Sequence, residues 1–213
     1  MISVVLLMAG SATRMKQKEN KVYMPLGNQM VYEHSLVKFL ELGLEVICVI
    51  RTEDRSYLDA YTSKVKIVIG GSTRQESVLN GIKEATGKYI LIHDAARPFI
   101  TKDIIQQCIA SLKEDNCCLV VAPCKDTVYQ KNPLRTLKRE ELILAQTPQG
   151  GNKAILLKCH EQALKEQYVG TDDMSLVLKY SDSAIKIIEG NDLNFKITTQ
   201  MDYIIAKELV KNV

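Results

Sequence analysis

Residues 2–26, ISVVLLMAGSATRMKQKENKVYMPL, constrain the fold more than any other part of the chain. The apolar run Val4 to Met8 is too short to span a bilayer, and it has the length and β-branched content of a buried strand. It reads as the first strand of a parallel sheet. The run passes directly into Ala9-Gly10-Ser11-Ala12-Thr13, small residues that let a backbone approach a ligand closely and turn its N–H groups toward an anion. Arg14, Lys16, Lys18 and Lys21 follow at once. A buried strand, a small-residue turn and a cluster of cations, in that order, are what a phosphate site at the carboxyl end of a parallel strand requires.

The stretch carries neither of the common nucleotide fingerprints: there is no GxxxxGK[ST], and the second glycine of a GxGxxG is missing. A dinucleotide fold is disfavoured. Downstream, strands and helices alternate as in a doubly wound sheet. A helix is expected over Met30 to Leu42 and is stopped by Gly43; strands are expected at Glu45 to Ile50 and Lys66 to Ile69, with a helix through about Asp54 to Tyr61 between them. Paired glycines Gly70-Gly71 precede Ser72 and Gln75, spaced as a capping box for a helix carrying Val78, Leu79 and Ile82. Strand Tyr89 to Ile92 ends in His93-Asp94-Ala95-Ala96-Arg97-Pro98, over the same crevice as the first loop. At this point Asp94 has three possible jobs: holding Mg²⁺ near phosphates, accepting hydrogen bonds from a polyol, or pairing with Arg97. His93 reads as structural.

Thr101 caps the next helix, and Cys117 to Ala122 is another buried strand. From about 124 to 146 the pattern turns polar, with Asn132-Pro133 as a turn between two short β-prone runs. This reads as a hairpin leaving the domain. A two-stranded arm is marginally stable alone, so it is expected to pack on a second subunit. A helix over Lys153 to Gln167 follows; Thr171 is the expected N-cap of the next, with Asp172 and Asp173 suited to its positive end. The late strand Lys186 to Glu189 and a terminal helix over Gln200 to Val210 complete one α/β domain spanning 1–213 with one excursion.

Seven segments in order, AGSATRM, Lys21, GGSTRQESV, HDAARP, AQTPQ, TDD and NFKIT, resemble those of the methylerythritol-phosphate cytidylyltransferase family, within the nucleotidyltransferase superfamily. Ala12 departs from the family's usual glycine. Ala96 and TDDMSLV resemble the methylerythritol branch more than the related ribitol-phosphate enzymes. The resemblance implies a Rossmann-like, mostly parallel sheet with a β-hairpin dimerisation arm, and transfer of CMP from CTP to a polyol phosphate. It implies catalytic roles for Arg14, Lys21 and Lys196, and nucleotide contacts from Ala9, Gly10, Ser11, Ala12, Thr13, Gly71, Arg74, Ser77, Asp94 and Ala95. Substrate contacts would come from Asp94, Arg97, Thr171 and Lys196, with Thr127 and Arg139 delivered by the partner's arm. Mg²⁺ or another divalent cation would ride mainly on CTP oxygens, because the sequence offers no dense carboxylate cage. A ribitol-5-phosphate cytidylyltransferase and a CTP-binding dimer without turnover are the alternative readings.

Composition adds limits. Lys and Arg total 28 against 25 Asp and Glu, and a net charge of +3 makes no case for nucleic acid or membrane as partner. Six cysteines without CxxC pairs or zinc-finger histidines are expected to be reduced core thiols. With no apolar run of spanning length and Met1 leading straight into the first strand, a cytoplasmic protein is expected.

Overall fold

A computed structural model of the chain describes residues 1–10 and 20–211. Strand β1 (Ile2–Leu7) lies near the middle of a seven-stranded sheet and is buried on both faces. Its alternate side chains feed two cores: Val4 and Leu6 join one cluster, Val5 the other. That period-two division explains why the strand reads as an unbroken apolar run. After β1 comes a short hairpin, β2 (Pro25–Leu26) and β3 (Gln29–Met30), outside the main sheet. On one flank β1 pairs in parallel with β4 (Glu45–Ile50), which pairs in parallel with β5 (Lys66–Ile69). The other flank of β1 pairs in parallel with β6 (Tyr89–Asp94). The order in which strands are added therefore reverses at β1, with β4 and β5 on one side and β6 on the other, which opens a crevice above the carboxyl ends of β1 and its neighbours.

Beyond β6 the sheet continues with β10 (Ile143–Asn152), β7 (Cys117–Pro123) and β11 (Ile185–Glu189). Among these seven, β10 is the antiparallel member, paired against both β6 and β7. Its register shifts between Ala145 and Gln149, so Gln146 and Thr147 bulge out beside the end of β6.

Helices α1 (Val31–Glu41) and α3 (Lys102–Lys113) cover one face, while α2 (Arg74–Glu84), α4 (Lys153–Lys165) and α5 (Asp173–Tyr180) cover the other. Each fully buried Leu, Ile or Val contributes about 1.5–3 kcal/mol relative to exposure. Terminal α6 (Gln200–Leu209) closes a smaller cluster with Leu26, Val31 and Phe99. Gly43 follows α1 with φ +68°, a left-handed conformation in which a side chain is strained, and so it ends the helix as expected. The stretch after β4 is a 3₁₀ winding over Thr52–Tyr61, with Arg51 Nε bonded to Asp54 Oδ2 at 2.7 Å.

Two expected caps differ. Thr73, not Ser72, caps α2 by accepting from the Glu76 N–H; Glu76 in turn accepts from the N–H and hydroxyl of Ser72, so no Ser72/Gln75 box forms. Asp172, not Thr171, caps α5, because its carboxylate accepts from the Ser175 N–H while Ser175 Oγ returns to the cap. The excursion ends earlier than expected. Strand β10 is already paired with β7 from Ile143, so the arm is residues 124–142 and contains the hairpin β8 (Tyr129–Gln130) and β9 (Arg135–Thr136). No helix among the described residues is long and apolar enough to cross a membrane.

Candidate active site

The crevice above β1, β5 and β6 encloses about 430 Å³. Ala9 and Gly10 reach it from the end of β1, Gly71, Arg74 and Ser77 from the start of α2, and Asp94 from the end of β6. Lys21 and Lys196 complete its charged lining. These are eight of the residues expected at the site. Gly70, at the neck of the α2 loop, passes so close to β1 that an added Cβ would stand 2.8 Å from that of Ala9. Ser77 Oγ accepts from the Gly71 N–H at 3.1 Å and donates to the Thr73 carbonyl at 2.9 Å, which folds the loop over the helix start.

Lys21 is held by its neighbours. Asn20, buried, donates from Nδ2 to the Met8 carbonyl at 2.6 Å and starts the short 3₁₀ turn Lys21–Tyr23. Tyr23 stacks on Tyr57 with ring centres 4.1 Å apart. One end of this turn is therefore tied to the residue after β1, and the other is stacked on the 3₁₀ winding that follows β4.

The charges form one continuous network. Lys196 Nζ donates to Asp94 Oδ2 at 2.8 Å, Arg74 Nε to Asp94 Oδ1 at 3.4 Å, and Arg74 Nη2 to Asp173 Oδ2 at 2.8 Å. Arg97 Nε stands 4.0 Å from Asp94 Oδ2. Burial would raise the Asp94 carboxyl, but Arg74 and Lys196 outweigh it and hold the group well below the ordinary carboxylate range. Burial likewise opposes ionisation of Asp173, yet Arg74 and His160 draw it down to about 2. Three cations face two carboxylates, so the network carries a net positive charge before Lys21 is added. Such a crevice attracts and orders an anion.

The segment that carries Lys196 is braced at Asn194. Its buried amide donates to Gln146 Oε1 at 3.0 Å and to the Thr147 carbonyl at 2.9 Å, and its own carbonyl accepts from Arg97 Nη1 at 2.7 Å. Thr147 Oγ1 accepts from the Asp94 N–H at 3.1 Å and meets His93 Nδ1 at 3.0 Å. His93 is fully buried; desolvation pushes it down to about 3, which leaves it a neutral core side chain, as its sequence reading expected.

Other expected site residues lie elsewhere. Ala95 is buried with its N–H bonded to the Leu7 carbonyl, and Ala96 takes the place facing the crevice. Arg97 sits behind the lining at Asp94, and Thr171 is exposed and is not among the lining residues. Thr127 and Arg139 share a separate hollow in the arm, where Arg139 Nη1 donates to the Lys125 carbonyl at 3.0 Å. Ser11, Ala12, Thr13 and Arg14 lie outside the described residues. Sequence reasoning assigned no role to Asn20, Thr147 or Asn194. Asp173 it took as a helix-end charge. Only the folded contacts reveal their work, although the AQTPQ and NFKIT motifs already flagged two of the segments.

A positively charged crevice at the switch point of a doubly wound sheet, with a small-residue strand end and a helix N-terminus opening into it, is the arrangement of a nucleotide-binding α/β protein. Residues 2–212 match the family model for IspD, 2-C-methyl-D-erythritol 4-phosphate cytidylyltransferase, and the chain belongs to that family. The protein of that name from Aquifex aeolicus is 36% identical over 213 residues, with 99% of this chain and 98% of the relative covered. Its counterpart from Alkaliphilus oremlandii is 35% identical over 224 residues, covering 98% and 94%. The crystal structure of 4-diphosphocytidyl-2C-methyl-D-erythritol synthase from Anaerococcus prevotii superposes with a TM-score of 0.88 at 26% identity, covering 99% of this chain and 98% of that one.

Proposed function

We propose that this chain transfers CMP from CTP to the phosphate of 2-C-methyl-D-erythritol 4-phosphate, giving 4-diphosphocytidyl-2-C-methyl-D-erythritol and pyrophosphate, a step of non-mevalonate isoprenoid precursor synthesis. The observation that carries it is the crevice in which Lys21, Arg74 and Lys196 converge on the end of β1. A phosphate oxygen of the polyol forms a bond to the α-phosphorus of CTP while the bond to the bridging oxygen breaks and pyrophosphate leaves. A phosphate monoester is already largely ionised near neutral pH, its second pKa being about 6, so no general base is required. A neutral, buried His93 fits that economy.

What the step does require is positive charge where the α-phosphoryl oxygens gain negative charge, and alignment of attacker with leaving group. Lys21 and Lys196 are assigned to the α-phosphoryl group, and Arg14 with the Gly10–Thr13 backbone to the β- and γ-phosphates. Gly71, Arg74 and Ser77, which line the crevice, are assigned to the nucleotide. Asp94 is assigned to the polyol phosphate, together with Arg97 and Thr171, which stand outside the crevice's described lining.

A divalent cation, Mg²⁺ foremost, fits this donor set as an ion carried by the triphosphate. Asp94 is the one carboxylate among the described lining residues, and no group of three or more His, Cys, Asp or Glu among the described residues could hold a metal alone. Bound there, the ion would neutralise charge on the phosphates and the departing pyrophosphate, with Asp94 the residue that would help hold it.

The working form is a homodimer joined through the arm. Leu134 and Tyr129 at its tip are 76% and 59% exposed, and Thr127 and Arg139 lie together off the chain's own crevice, as residues bound for a neighbouring site would. Cytoplasmic residence is supported by six free cysteines, five of them buried.

The test is pyrophosphate release from CTP and Mg²⁺ with methylerythritol phosphate and then ribitol phosphate. Release with the first supports the assignment. Release only with ribitol phosphate would move the chain to the sister activity, and CTP binding without release from either would make it a non-catalytic binder.

A further inference from the structure

We propose that Asp173 is a positioning residue for nucleotidyl transfer, holding Arg74 in the orientation from which it serves the crevice; the inference rests on the transfer activity proposed above. Asp173 is 1% exposed and does not line the crevice, so it cannot touch a ligand there itself. Its Oδ2 takes Arg74 Nη2 at 2.8 Å, while Arg74 Nε turns to Asp94 Oδ1 at 3.4 Å. A planar guanidinium gripped at two edges by two carboxylates has a fixed direction, and Arg74 so held lines the crevice with donors to spare beyond those two bonds. Asp173 is fixed in its turn. Its N–H donates to Gln149 Oε1 at 3.1 Å, Gln149 Nε2 donates to Asp172 Oδ2 at 2.8 Å, and His160 Nε2 lies 3.4 Å from Asp173 Oδ1. The start of α5 is thereby tied to the central strand β10, and through Arg74 to the crevice.

Freed from Asp173, Arg74 would have Asp94 as its remaining carboxylate and would compete there with Lys196. The anchor therefore also keeps Lys196 in place. A lysine at position 74 would supply the charge without the two-edged grip.

A double-mutant cycle tests this, with kcat and KM for CTP measured in the wild type, Asp173→Asn, Arg74→Gln and the double variant, each checked for folding by thermal unfolding. The expected result is a loss in kcat/KM of more than roughly tenfold for each single variant, and a double variant no worse than the poorer single one. Independent, multiplying losses would overturn the proposal, as would an Asp173→Asn enzyme that melts lower but turns over within about twofold of wild type. Should Asp173→Asn fail to fold, Arg74→Lys carries the test: activity within about threefold of wild type would show that charge alone suffices and overturn the proposal, whereas a loss close to that of Arg74→Gln supports it. Absence of turnover in the wild type would overturn the transfer reading, and the inference with it.

Discussion

Lys196 Nζ and Asp94 Oδ2 meet at 2.8 Å across 102 residues of chain, one brought by the loop before α6 and the other by the end of β6. The same carboxylate also receives Arg74, so a single side chain sets the spacing of two cations. Asp94→Asn is expected to keep CTP binding while turnover falls on the order of 100-fold, because misplacing reacting or stabilising groups by about 1 Å costs that much. Equilibrium binding of CTP alongside steady-state kinetics checks this. Turnover within a few-fold of wild type would contradict it.

Acid stability follows from groups whose folded pKa lies below the ordinary value. Burial lowers His93 from 6.5 to about 3, so its contribution is complete above about pH 6.5 and is lost as pH falls toward 3. Asp173, drawn from 3.8 to about 2 by Arg74 and His160 against its burial, contributes above its ordinary value and is lost as pH falls below it; Asp94 behaves likewise. Urea midpoints should therefore start to decline below about pH 6.5 and steepen below about pH 4, and His93→Gln should flatten the first part of that decline. A wild-type midpoint unchanged down to about pH 4.5 would contradict the assignment to His93.

Gly81 lies on the inner face of α2 against β1 and β4. A Cβ there would stand 2.5 Å from Val5 Cγ1 and 3.0 Å from Val49 Cγ2. Gly81→Ala gains about 1 kcal/mol of helix preference but overpacks the core at a cost of about 1–3 kcal/mol. Net destabilisation in urea unfolding is expected. A more stable variant would show that α2 shifts away from the sheet freely.

If Arg139 serves the neighbouring crevice, Lys196→Ala and Arg139→Ala are defects in different halves of one composite site. Each homodimer should be poorly active. After mixing, unfolding and refolding together, roughly a quarter of all sites should combine an intact crevice with an intact arm, and activity should return to that level. No recovery would contradict a shared site.

The sheet and its order of elements were legible because β1, β4, β6 and β7 are buried on both faces and so appear as continuous apolar runs bounded by small or polar residues. Two caps were misplaced by one residue, Ser72 for Thr73 and Thr171 for Asp172, because neighbouring side chains could both serve as caps and only the backbone dihedrals choose between them. The crevice lining followed from motifs at strand ends. The buried supports did not: Asn20, Asn194 and Thr147 act through hydrogen bonds to residues distant in sequence, and Asp173 meets Arg74 across 99 residues. Nothing in local spacing encodes such partners.

The most direct test of the account is pyrophosphate release from CTP and Mg²⁺ with methylerythritol phosphate, in wild type, Lys21→Ala and Lys196→Ala. If these lysines stabilise the α-phosphoryl transition state, each loss should remove roughly 2.7–4 kcal/mol, a fall of about 100- to 1,000-fold in kcat, with the fold intact. Either variant turning over at the wild-type rate would contradict the claim that charge in this crevice drives the transfer.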